Sequence, residues 1–338
     1  MDYDFLVKAE ELELRYRAPR PAVRLGFGRA GLGFEEWRRV ATRKLAEVVG
    51  VDAGVRAGAV TELRRTAAEG VEVVALVMAV ADGLSVPAYL LNPGGERVVM
   101  ALHGHGQVDE CLRIRGVHED YHHSFAIELA KAGHTVLLPE LRGFGVLSDL
   151  AAQRDGASLS YWRWGEHMVY TLLTDAFQHG RTLMGDTIED LLRWEDWLGT
   201  ECDVVGISWG GDLACTYPVF SRRVRSIFAS GTLGSFEAVF AEAGNAPAPC
   251  VPGILEWFDR ADIAGLNAPR RMLVHYGELD VPGPANGSAA YNSSVPEAFA
   301  QLQEIYGSAG ARGEVTLHVS AGLGHEMDVE LLLEFLSS

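Results

Sequence analysis

The chain has 338 residues, with 29 Lys and Arg against 46 Asp and Glu, and a formal net charge of −17. So acidic a balance argues against nucleic acid, because a phosphate backbone needs a basic face. Apolar residues make up 48% and charged residues 22%, which excludes disordered and disulfide-scaffold classes and leaves enough chain to bury one large core.

The opening segment MDYDFLVKAEELELRYR mixes acids and bases and has no apolar stretch of the kind an export signal needs. The longest apolar run, Val73 to Ala81, stops at Asp82, well short of the ~20 residues that span a bilayer. Neither export nor membrane insertion is expected. Cys111, Cys202, Cys215 and Cys250 form no Cys-x-x-Cys pair, as expected of thiols in a reducing compartment, so a cytoplasmic protein is predicted.

Residues 1–70 read as a helical extension that packs on or caps the main domain. Within it, Phe34 to Val49 puts Trp37, Val40, Leu45, Val48 and Val49 near one side of a helix, and Gly50 is a natural stop. From Val71 the pattern changes to VEVVALVMAV and SVPAYLLN, joined by Asp82-Gly83, a hairpin signal.

Strand-like and helical runs then alternate. VVMALHG is followed by a helix near Tyr121 to Ala132, HTVLLPEL by one near Asp186 to Leu198, and DVVGIS by one from Trp209. VRSIFAS, RRMLVHYG, a helix near Pro296 to Tyr306, VTLHVS and a helix near Met327 to Leu336 complete the order. Such alternation predicts an α/β fold with a mostly parallel sheet covered on both faces. Residues 147–185 and 235–267 fit this plan poorly and are candidate lids or pocket walls. The first holds Tyr161, Trp162 and Trp164, which either line an apolar cleft or simply pack an inserted helix.

Gly206-Ile207-Ser208-Trp209-Gly210-Gly211 follows DVVGI and opens a helix, which is the form of a nucleophile elbow. A serine on so tight a strand-to-helix turn is strained, and small neighbours let strand and helix approach. With 38 glycines in the chain, Gly-x-Ser-x-Gly arises by chance in about one such sequence in five, so context must carry the assignment. The context is the chain order of acid and base after the serine. Asp280 lies just past RRMLVHYG, where active-site groups of such sheets collect, with Glu278 as a substitute. His325, between glycines after VTLHVS, is the candidate base, while His275 and His318 lie inside strand runs and read as core histidines. The oxyanion donors are the amides of Trp209, next to the nucleophile, and of His105 in His103-Gly104-His105-Gly106.

The histidines between His103 and His123 also invite a metal reading through His103, His105, His122 and His123. It is disfavoured, because adjacent His122 and His123 diverge on a helix and a zinc centre wants three or four convergent ligands. His118, His122 and His123 then sit near the pocket mouth or a helix start. Glu140 and Arg142 read either as an ion pair bracing the loop or as a solvated turn.

The segments LHGHG, PELRGFG, GRTLMGDTIEDLLRW, GISWGG, VPGILEW, DIAGLNAPRRMLVHYGELD and GLGHE together resemble the α/β-hydrolases, and more narrowly the bacterial esterases related to acetyl xylan esterases and dienelactone hydrolases. The resemblance spans Val71 to Ser338. It implies an eight-stranded sheet, a triad of Ser208, Asp280 and His325, oxyanion donors at His105 and Trp209, no cofactor or metal, and hydrolysis of a small-molecule ester with a small acyl group. A homodimer is compatible with it. Dienelactone hydrolases use a cysteine nucleophile where this chain has Ser208, and the relatives usually carry Asp where it has Glu140. The same residues would also serve a thioesterase, an acyltransferase or a carbon–carbon hydrolase, and a binding protein without catalysis is a further alternative.

Overall fold

Strands with no polar face must lie in the middle of a sheet that is covered on both sides. In the computed structural model, which describes residues 23–80, 84–105, 108, 121–144, 167–236, 248–280 and 290–338, the runs VVMAL, TVLLP and CDVVGI do so. They form strands β4 (Val98–Leu102), β5 (Thr135–Pro139) and β6 (Cys202–Ile207), buried almost throughout. The other strands are β1 (Val60–Ala68), β2 (Val71–Ala79), β3 (Ser85–Leu91), β7 (Val224–Ser230), β8 (Arg271–Gly277) and β9 (Val315–Ser320). Among the described residues the sheet has nine strands in the order β1-β2-β3-β5-β4-β6-β7-β8-β9. Strands β1, β2, β3 and β5 pair antiparallel, and every pairing from β5 to β9 is parallel.

The eight helices among the described residues are α1 (Phe34–Val49), α2 (Phe125–Lys131), α3 (His167–Gln178), α4 (Leu183–Leu198), α5 (Trp209–Thr216), α6 (Arg260–Gly265), α7 (Ala290–Ser308) and α8 (Val329–Ser337). Period-two alternation along the strands separates two cores. Met100, Leu102, Leu137, Val204, Ile227 and Met272 join the layer of α1, α4, α5, α6 and α7. Val99, Ala101, Val136, Leu138, Val205 and Phe228 join the layer of α2 and α8. No helix among the described residues is long and apolar enough to cross a membrane.

Two expectations change. The sheet gains a ninth strand, β1, from the segment read as helical extension. Strand β1 carries no apolar alternation because it is an edge strand with almost every residue exposed. Its register on β2 runs from Val60 opposite Met78 to Ala68 opposite Val71, closed by Glu69-Gly70, both at positive φ, 50° and 84°, the geometry of a tight hairpin turn. The helix over Phe34–Val49 forms as expected and stops at Gly50 in the left-handed conformation. Its buried stripe is Phe34, Trp37, Ala41, Leu45 and Val49, with Val40 and Val48 at the margin. The N-terminal segment is tied to the rest of the chain by Leu25 N to the Trp257 carbonyl (3.0 Å) and Phe27 N to Asp262 (2.9 Å), while Trp37 Nε1 donates to the Leu25 carbonyl (2.7 Å) within the segment. The joint between β2 and β3 at Asp82-Gly83 lies outside the described residues, but the antiparallel pairing from Val73–Leu91 to Ala79–Ser85 is as expected.

Candidate active site

Ser208 stands between β6 and α5, and its backbone sits at φ 58°, ψ −120°. A non-glycine residue there is strained, and only its surroundings hold it. Those surroundings are explicit. Ser208 N donates to the Ser230 carbonyl on β7 at 2.9 Å, and Asp212 N closes the first turn of α5 on the Ser208 carbonyl at 3.0 Å. A Cβ on Gly206 would run into the Gly210 backbone, and one on Gly210 would reach 2.6 Å from the His103 carbonyl oxygen. Strand, turn and helix therefore approach more closely than any side chain permits. The Trp209 amide is the first of α5, and a helix's first amides have no acceptor inside the helix.

Helix α5 is fixed from below by a buried charge pair. Asp212 accepts from Arg260 of α6 and from the Thr232 hydroxyl, with a second Arg260 contact at 3.3 Å. Both side chains are almost fully buried, where an ion pair persists only if each partner compensates the other's lost hydration. The Arg260 guanidinium also lies over the Phe236 ring at 4.7 Å.

Asp280 and His325 meet at the same end of the sheet. Asp280, 1% exposed, leaves the loop after β8 and accepts from His325 Nδ1 at 2.8 Å. The two loops are stitched by Leu279 N to the Leu323 carbonyl (2.8 Å) and Glu278 N to the Ser320 carbonyl (2.9 Å). Glu278 is exposed and accepts from the Gly322 amide at 3.1 Å, so of the two carboxylates the sequence offered, it is Asp280 that faces the imidazole. The His325 ring packs over Gly231, where a Cβ would sit 2.6 Å from Cε1, one residue beyond the carbonyl that holds Ser208. Its Nε2 is buried and makes no hydrogen bond among the described residues. The structure thus joins Asp280 to His325, packs that imidazole over Gly231 next to the residue whose carbonyl holds Ser208 N, and leaves the Ser208–His325 bond unformed.

The loop after β4 faces the serine, since a Cβ on Gly104 would come 3.0 Å from that of Ser208. His103 is fully buried; its Nε2 accepts from Leu141 N at 3.1 Å, and its Nδ1 lies 2.7 Å from the Gly104 carbonyl. Burial drives its pKa down to about 3 and that of His105 to about 4. His105 and His103 both pack edge-on against Phe144, at 5.4 and 5.7 Å.

Other readings resolve differently. His275 is the satisfied core histidine expected, between Ser230 Oγ (2.8 Å) and Ser320 Oγ (3.0 Å). His318 is not in the core: β9 is an edge strand, and the residue is exposed. Glu140 and Arg142 are buried rather than solvated. Arg142 reaches Asp190 of α4 through two bonds of 2.6 and 3.0 Å and Asp186 at 3.3 Å, while Glu140 accepts from the Tyr89 hydroxyl at 3.2 Å. His122 and His123 precede α2 in a turn rather than in a helix. Among the described residues no three His, Cys, Asp or Glu side chains converge as a metal site. Tyr161, Trp162 and Trp164, proposed as pocket wall, lie outside the described residues, as do Cys111 and His118. Tyr121, which carries no sequence motif, bridges the site: its hydroxyl donates to the His105 carbonyl at 2.5 Å and its ring lies 5.4 Å from that of His325.

No protein-family model matches the chain, and no curated protein matches it. Solved structures do. A Bacteroides fragilis protein provisionally designated an acetyl xylan esterase matches with TM-score 0.73 at 13% identity, over 98% of this chain and 95% of its own. A glucuronoyl esterase from Solibacter usitatus matches with TM-score 0.63 at 12% identity, over 96% and 99%. Acetyl xylan esterase 1 from Thermoanaerobacterium sp. matches with TM-score 0.54 at 16% identity, over 98% of each. At such identities the likeness is one of architecture, and it agrees with the strand order and the elbow: the chain has the α/β-hydrolase fold.

Proposed function

We propose that this protein is a serine hydrolase that cleaves a carboxylic ester with a small acyl group, the alcohol part being a carbohydrate. The observation that carries the reading is the strained Ser208 elbow together with the bond between buried Asp280 and His325, whose Nε2 makes no hydrogen bond among the described residues. In the reaction His325 Nε2 removes the Ser208 proton as Oγ attacks the ester carbonyl, and Asp280 holds the imidazole in the tautomer that leaves Nε2 free. The amides of His105 and Trp209 receive the charge on the carbonyl oxygen. His325 then passes the proton to the departing alkoxide, leaving an acyl-serine. Water, deprotonated by the same Nε2, releases the acid and restores Ser208. Every proton returns, and no step needs a cofactor.

The small acyl group and the carbohydrate alcohol rest on the solved structures named as acetyl xylan esterases; the glucuronoyl esterase shares the fold, but its name places the sugar on the acyl side. The test is hydrolysis of p-nitrophenyl esters from acetate to decanoate and of acetylated xylan, each beside Ser208→Ala. Release of acetate that disappears in the variant supports the reading. Turnover at the wild-type rate in the variant refutes it, and activity confined to long chains refutes the small acyl pocket.

A further inference from the structure

Tyr121, His122 and His123 follow one another just before α2, and each holds a different part of the site. The Tyr121 hydroxyl donates to the His105 carbonyl at 2.5 Å, and its own carbonyl accepts from Met327 N, two residues past His325, at 2.8 Å. His122, fully buried, accepts the Gly104 amide on Nε2 at 2.8 Å. His123 Nε2 lies 2.7 Å from Glu326, whose other oxygen accepts from Gly324 N at 3.1 Å. One short segment therefore grips the loop before the serine and, on its other side, the loop that carries His325. The residues His123 and Ser124 take left-handed φ of 49° and 50°, a conformation that persists only when the surroundings over-determine it.

The bonds fall on successive peptide units of the Gly104 loop. Gly104 N is held by His122, the Gly104 carbonyl by His103, and the His105 carbonyl by Tyr121. His103 Nε2 receives the Leu141 amide and so carries no hydrogen; the hydrogen is on Nδ1, which donates to the Gly104 oxygen. That oxygen and the His105 N–H belong to one planar trans peptide and point to opposite sides. Fixing the flanking units therefore fixes where the His105 amide aims.

On the serine-hydrolase reading above, we propose that Tyr121 and His122 are positioning residues, which register the His105 oxyanion donor against the His325 loop. The test uses the full chain with p-nitrophenyl acetate as substrate and phenylboronic acid as transition-state analogue. In His122→Phe the Gly104 amide loses its acceptor; kcat falls at least about tenfold, KM stays within about twofold, and boronate affinity falls by the same factor as kcat. His122→Gln, whose Oε1 can take the place of Nε2, recovers most of the loss. Tyr121→Phe moves both quantities in the same direction by less. The inference is overturned if folded His122→Phe and Tyr121→Phe keep wild-type kcat and boronate affinity, if only KM changes, or if His122→Gln is as impaired as His122→Phe. Should His122→Phe fail to fold, Tyr121→Phe, which removes a single hydroxyl, decides. A wild-type protein inert to the ester and to fluorophosphonate overturns the hydrolase reading itself, whereas an active one with unaffected variants overturns this inference alone.

Discussion

Replacing Asp280 by Asn tests what its bond to His325 contributes. The Asp280 carboxylate is 1% exposed and 2.8 Å from Nδ1, so Asn fits the same volume and the fold is retained. Two effects then add. The imidazolium formed during attack loses a countercharge, worth about 4 kcal/mol at roughly 4 Å between charge centres and an effective dielectric of about 20, or nearly a thousandfold in rate. The Asn amide also turns its NH2 toward Nδ1 and drives the proton to Nε2, where it blocks attack, and such tautomer errors bring the total to about 10⁴. The assay is kcat/KM on p-nitrophenyl acetate, with Glu278→Gln as control. The account expects a loss of about 10⁴ in Asp280→Asn and activity within about twofold of wild type in Glu278→Gln, since the exposed Glu278 carboxylate accepts from the Gly322 amide and makes no bond to His325 among the described residues. The reverse ranking, or a loss below about tenfold in Asp280→Asn, refutes the reasoning.

Further outcomes follow from the packing. Asp212→Ala leaves the Arg260 guanidinium buried without its countercharge and lowers stability by about 3–5 kcal/mol in a denaturant titration, whereas Asp212→Leu with Arg260→Met restores much of it; an additive double variant contradicts the pairing. Gly206→Ala forces a methyl into the Gly210 backbone, so it yields either insoluble protein or a Tm lowered by many degrees; a soluble variant of wild-type Tm would show that the elbow is looser than described. His103, His105 and His275 have folded pKa values of about 3, 4 and 4, against 6.5 in their ordinary state, because burial penalises the cation. Their contribution is complete above pH 6.5 and is lost as pH falls from there toward 4; near pH 5 the unfolded chain binds nearly three protons that the native chain refuses, a slope of up to about 4 kcal/mol per pH unit. Tm measured from pH 8 to 4 should fall steadily below 6.5; a flat profile contradicts those burials.

Much of this architecture was legible in the sequence because buried parallel strands announce themselves. VVMAL, TVLLP, CDVVGI and VRSIFAS have no polar face, and each became a strand where it was read. Strand β1 was not legible: an edge strand exposed on both faces, VTELRRTAA carries no alternation. His318 misled for the converse reason, since VTLHVS reads as core although an edge strand leaves half of it in water. The elbow and the candidate acid and base were legible because strain demands glycine and because chain order limits the choices. Tyr121 and His122 were not, since their value lies in bonds to Gly104, His105 and Met327 that only the fold brings near. The partners of Arg142, Asp186 and buried Asp190, escaped for the same reason, lying on a helix more than forty residues away.

The most direct test is to react the folded chain with a fluorophosphonate and locate the adduct by peptide mass spectrometry, with and without excess p-nitrophenyl acetate. A single adduct on Ser208, suppressed by the ester and slowed by Asp280→Asn, is the result predicted for an elbow serine activated by His325. An unlabelled Ser208 in folded protein, or an adduct on another residue, would contradict it.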